Sequence, residues 1–182
     1  MSQLDEDMEI DQRHFSPEKL YGRDCQLKEL IDVCLRTRAL CPPEVALISG
    51  CPGSGKTSLV QTAKGRLTDY GFSFISGKFD QLRYPEPLSA IITAFNQYFD
   101  DISGSHDELI NFIRTSILER TGDCIGVLTF CFPALGKIIG SHCTNPTKVG
   151  LKETQHRFEY AFRSMVRAIA TPSNPVVLFL DD

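Results

Sequence analysis

Residues 45–57 read VALISGCPGSGKT: four apolar residues, a glycine-rich turn, then Lys56-Thr57. The run Val45-Ala46-Leu47-Ile48 predicts a buried strand, because strands covered on both faces read as unbroken hydrophobic stretches. Gly50, Gly55, Lys56 and Thr57 satisfy the spacing GxxxxGK[ST]. From average residue usage, a chance match in a chain of this length has a probability of roughly 1% or less. Residues 56–69 continue as a helix, with Leu59, Val60, Ala63 and Leu67 on one face. Strand, loop and helix in that order are the context in which the pattern carries chemistry.

That chemistry is phosphate binding. Glycines let the backbone turn so that successive N–H groups face a phosphate oxygen. The helix that follows adds the positive end of its dipole. The expected phosphate-binding set is Gly50, Cys51, Pro52, Gly53, Ser54, Gly55, Lys56, Thr57 and Ser58. Lys56 would reach the β- and γ-phosphates, and the Thr57 hydroxyl would ligate magnesium. The plainer alternative is a glycine-rich turn with an exposed lysine.

Magnesium beside a triphosphate commonly takes an acidic ligand from the end of a neighbouring hydrophobic strand. Val176–Asp182, VVLFLDD, supplies one. Asp181 is the expected magnesium ligand with Thr57. Asp182 is the expected polariser of the attacking water, which makes Lys56 and Asp182 the expected catalytic pair.

Around these two motifs the pattern is α/β. Leu27, Leu30, Ile31, Cys34 and Leu35 form the stripe of a first helix, broken at Cys41-Pro42-Pro43. Phe72 to Phe79 reads as a second strand. Leu88, Ile91, Ile92, Phe95 and Phe99 mark another helix, and Ser105-x-x-Glu108 is a capping box opening one that runs to about Leu118. Residues 150–170 read as a long amphipathic helix, with Phe158, Ala161, Phe162, Met165, Val166 and Ile169 inward. Val176 to Leu180 reads as a third strand of the buried type. The expectation is a parallel sheet flanked by helices, with a helical insertion between the second strand and the acidic one.

The most apolar stretch, Cys124 to Gly140, is shorter than the about 20 residues of a bilayer span. Pro133, Gly136 and Lys137 interrupt it, so it reads as core. With 42% hydrophobic and 23% charged residues, the 182-residue chain has the composition of one globular domain. Asp5, Glu6, Asp7, Glu9 and Asp11 against Arg13 place the whole net charge of −4 within residues 1–15. The body has no basic excess and gives nucleic-acid binding no electrostatic support. Residues 1–15 lack the apolar core of a secretory signal and read as a disordered acidic tail ahead of a domain over 16–182. Seven cysteines, with no CxxC pair, fit reduced thiols in a cytoplasmic or nuclear setting. The four histidines show no metal-ligand spacing. There is no NKxD-type guanine signal, and no hydrophobic strand precedes the GTPase-like Asp123-x-x-Gly126.

Several segments together resemble the AAA-type and STAND-type P-loop ATPases, in particular the origin-recognition-complex-like AAA domains. The resemblance rests on Leu20-Tyr21-Gly22-Arg23-Asp24, Gly50–Thr57, Gly77-Lys78-Phe79-Asp80-Gln81, Pro87-Leu88-Ser89-Ala90, Gln155-His156-Arg157-Phe158 and Leu180-Asp181-Asp182. It implies ATP rather than GTP, with Tyr21, Gly22 and Arg23 near the adenine and ribose. Many ATPases of this class carry Glu where Asp182 stands, which implies slow hydrolysis here. In the family the chain continues past the acidic pair into a sensor-1 strand between the Walker A and Walker B strands, an arginine finger and a helical lid. The expectation is therefore the first part of an ATPase domain, inactive in turnover by itself. In its parent it would act as a regulatory or signalling ATPase, with protein partners or self-association through those further regions and no membrane. The alternatives are a non-catalytic nucleotide-binding scaffold and, less well matched, a small-molecule or nucleotide kinase.

Overall fold

The computed structural model describes residues 22–40, 42–79, 88–104, 107–140 and 151–181. Helix α1 spans Asp24–Leu40, α2 Lys56–Asp69, and strand β1 Ser73–Lys78. Then follow α3 (Ser89–Ser103), α4 (Asp107–Thr121), a single 3-10 turn (Gly122–Cys124), α5 (Ile125–Cys131), α6 (Leu135–Ile139), α7 (Leu151–Ile169) and strand β2 (Val176–Asp181). The two strands pair in parallel, from Ser73 opposite Val176 to Lys78 opposite Asp181. The described residues thus form a helix-rich fold around a small parallel sheet, compatible with the expected α/β class.

Each face of the sheet has its own helical cover. On one side Leu27 and Ile31 of α1 meet Leu59, Ala63 and Leu67 of α2 and Phe72, with Phe74 and Val177 of the strands against them. On the other side Ile75 joins a larger core built from α3 to α7, centred on Phe95, Phe99, Phe132, Ile113, Leu135, Ala161 and Met165. Five rings, Phe95, Phe99, Phe132, Phe158 and Phe162, meet there at centroid distances of 5.3 to 6.4 Å. Such aromatic contacts add to the stabilisation from buried area. Most of the apolar residues of 124–140 lie in this core, Phe130 being exposed, and among the described residues no helix is long and apolar enough to cross a membrane.

Gly77 brings β1 and α3 together. A Cβ there would lie 3.0 Å from the Ala90 carbonyl oxygen, 3.1 Å from Leu180 Cδ2 and 3.3 Å from Ala94 Cβ. The helix therefore rides against bare strand backbone, a closeness only glycine permits.

Two expectations need correction. Val45–Ile48 is not a strand: the segment has no regular secondary structure, and Val45 and Leu47 are 86% and 92% exposed. Only Ile48 touches a core, that of α1 and α2. A strand forms where a neighbour takes up its backbone hydrogen bonds, and no described strand lies beside 45–48. β2, in turn, is not buried on both faces, since Leu178 and Leu180 stay exposed. Two strands leave an open edge that an unbroken apolar sequence does not foretell. The capping residue Ser105 lies outside the described residues.

Candidate functional site

The glycine-rich loop ends where α2 begins. Gly55, the residue before the helix, has φ 82° and ψ 24°, a left-handed conformation that costs glycine little and an L-residue with a side chain much more. No side chain caps this helix start. The first amides of α2 therefore have no intrahelical acceptor and no side-chain one, as an anion-binding helix terminus requires.

The rest of the loop is closed on itself. Lys56 Nζ donates to the Gly50 carbonyl at 2.9 Å and to the Cys51 carbonyl at 3.3 Å. Ser54 N donates to the Cys51 carbonyl at 3.1 Å, and the buried Ser54 Oγ has no hydrogen-bond partner among the described residues. That hydroxyl crowds Gly50, where a Cβ would stand 2.8 Å from it. A side chain at position 50 would therefore make the Ser54 hydroxyl turn away.

Two residues far apart in the chain meet at the loop's end. Thr57, in the first turn of α2, donates from Oγ1 to Asp181 Oδ2 at 3.0 Å. Asp181 is the last residue of β2, and Phe79 N donates to its backbone carbonyl at 2.9 Å, so the strand pairing holds it up to its end. Val177 and Phe74, packed on the α1–α2 core, set the distance between strand end and helix start. The pair offers hard oxygen donors to solvent. Magnesium typically binds through one or two carboxylates together with substrate phosphates and water, so the donors fit that ion. A protein cage for a metal is a different matter: no group of three or more His, Cys, Asp or Glu gathers among the described residues.

A match to known sequences coincides with this geometry. Residues 19–182 match the AAA ATPase domain family. The chain belongs to that family. This AAA ATPase domain is 34% identical over 170 residues to "Hybrid signal transduction histidine kinase G" of Dictyostelium discoideum. The match covers 93% of the chain and 5% of that protein, so the chain spans a small part of the relative's length. No solved structure matches it. Family membership supports nucleotide binding as the class of function.

Within the AAA ATPase domain, the loop residues Gly50–Ser58 stand together at the start of α2, and Asp181 stands beside Thr57. Tyr21 and Asp182 lie outside the described residues. Gly22 is exposed, with φ 69°. Arg23 makes a contact that its sequence context did not announce: Nη2 donates to the Ser54 carbonyl at 2.6 Å. Neither periodicity nor motif spacing carries a signal for that bond.

Proposed function

We propose that this AAA ATPase domain binds ATP with magnesium and serves as the nucleotide-responsive part of a regulatory or signalling protein. In this reading Lys56 and the backbone N–H groups of Gly50–Ser58, which Pro52 alone lacks, hold the phosphates, and Thr57 and Asp181 hold the metal. Asp182 orients the attacking water. Tyr21, Gly22 and Arg23 lie toward the base and ribose, and from there the Arg23 side chain reaches the Ser54 carbonyl. Bound magnesium would neutralise charge on the β- and γ-phosphates. The chain's own share is to fix the anion at a helix start and to keep a carboxylate within reach of it.

The observation that carries the reading is the 3.0 Å contact between Thr57 and Asp181. A glycine-rich turn without a function has no reason to bring its threonine to the acidic end of a strand. The regulatory role draws on the relative's name, which describes signal transduction. Titrating ATP into the full-length protein tests the proposal. Lys56→Ala should weaken ATP by about ten- to a hundredfold, the range of a charged hydrogen bond worth about 1.5–3 kcal/mol. Equal affinity in wild type and variant would reject it.

A second reading is a nucleotide-holding scaffold without useful turnover. It is favoured by Asp rather than Glu at position 182. ATP that stays bound and intact for hours in the full-length protein would select it.

A further inference from the structure

Arg23 sits one residue ahead of α1, and Ser54 lies at the crest of the glycine-rich loop, 31 positions later. The 2.6 Å bond from Arg23 Nη2 to the Ser54 carbonyl joins the two. We propose that Arg23 is a positioning residue for the loop: by holding the Ser54 carbonyl on its own side, it turns the next amide toward the phosphate. This inference rests on the ATP-binding reading of the same site.

The geometry of one peptide unit carries the argument. A trans peptide points its C=O and its N–H in opposite directions, and the described chain has no cis bond. Fixing the Ser54 oxygen therefore fixes the direction of the Gly55 N–H. That amide opens the left-handed step into α2, so the arginine restrains from outside a glycine, the residue type with the freest backbone. Glycine needs such restraint, since its range of allowed conformations makes it the most entropic residue to order.

The anchor end is firm. The Arg23 carbonyl accepts from Leu27 N at 3.0 Å, which starts α1. Leu27 and Ile31, both buried, pack α1 against Leu59, Ala63 and Leu67 of α2. The guanidinium and the loop thus belong to two helices already locked together. Gly22, just before the arginine, has φ 69°. A guanidinium also places permanent positive charge beside the loop without occupying the inward-facing amides.

On this proposal the Arg23 guanidinium, although expected on the ribose side of the site, acts on the phosphates through the loop. The test compares ATP, inorganic tripolyphosphate and adenosine as ligands of the full-length protein, in wild type, Arg23→Ala, Arg23→Lys and Lys56→Ala. Arg23→Ala should weaken ATP and tripolyphosphate by the same factor, about tenfold, and leave adenosine unchanged. Arg23→Lys, which keeps a donor, should recover part of the loss. A chain that was merely destabilised would lower the bound fraction and the melting temperature with the dissociation constants kept, and that result would overturn the proposal. So would a loss for ATP alone with tripolyphosphate unaffected, which would put Arg23 on the nucleoside, and so would no change for either ligand. If Lys56→Ala weakens both phosphates while Arg23→Ala does not, the loop function stands and the positioning role falls. If Lys56→Ala weakens neither, the ATP-binding reading fails first, and this inference with it.

Discussion

Thr57 and Asp181 share one hydrogen bond, Oγ1 to Oδ2 at 3.0 Å, across 124 positions of sequence. The bond is solvent-exposed, so its contribution to stability is small, about 0.5–1.5 kcal/mol before screening by water. Its meaning is positional. The bond holds the start of the helix that follows the glycine-rich loop against the strand that ends in an acid. Under the proposed function, a hydroxyl and a carboxylate so placed would not have to be gathered by a metal-bound triphosphate, which would limit the entropy lost on binding.

Gly77 sets the spacing between the sheet and α3. Gly77→Ala would place a methyl group 3.0 Å from a backbone oxygen and 3.1 Å from Leu180, so strand and helix must part by a few tenths of an ångström. The expected cost is about 1–3 kcal/mol, the range for overpacking a filled core. Urea denaturation of the two proteins measures it. A stability equal to wild type would show that α3 does not ride on β1 as closely as described.

Phe132 is fully buried, and its ring meets Phe95, Phe99, Phe158 and Phe162. Phe132→Ala should cost about 3–5 kcal/mol, while Phe132→Leu should cost much less. Where the alanine variant still folds, its ATP affinity should equal that of wild type, because this core lies on the sheet face away from α2. Thermal melts together with ATP titration separate the two effects. A variant that keeps its melting temperature but loses ATP would tie the ring cluster to the site.

Burial pushes the Cys34 thiol, and likewise the Cys131 thiol, above the ordinary value of 9.0. The folded chain therefore keeps these protons to higher pH than the unfolded chain does. Between the two values the unfolded state has lost its protons and the folded state has not, so stability falls as pH rises past about 9. Below 9 the two thiols leave stability independent of pH. The same protons slow alkylation, which proceeds through the thiolate. At pH 8, iodoacetamide should label the exposed Cys25 and Cys51 before Cys34 and Cys131. Mapping the labelled peptides over time checks the order, and faster labelling of Cys34 or Cys131 would contradict their burial.

Local patterns made much of this legible in the sequence. The α2 stripe Leu59-Val60-Ala63-Leu67 is buried as its spacing required, and β1 lies within the expected 72–79. Ala161, Met165 and Ile169 of α7 point inward as expected. The errors came where structure depends on a neighbour distant in sequence. Val45–Ile48 has strand-like residues, but no described strand runs beside it. Leu178 and Leu180 are apolar, yet the sheet edge leaves them in solvent. Two motifs with expected roles put Thr57 and Asp181 at one proposed site, and the two side chains do meet. The bond from Arg23 to Ser54 was not legible, because it depends on how α1 lies on α2, and a periodicity along one helix says nothing about that.

The most direct test of the account is the magnesium dependence of ATP affinity in the full-length protein, measured by calorimetry for wild type, Asp181→Asn and Thr57→Val. Asp181 and Thr57 are expected to provide the metal's protein oxygens, so magnesium should tighten ATP in wild type. Either substitution should shrink that gain by about tenfold, equivalent to about 1.4 kcal/mol, with metal-free ATP affinity little changed. A magnesium gain of equal size in all three proteins would contradict the account.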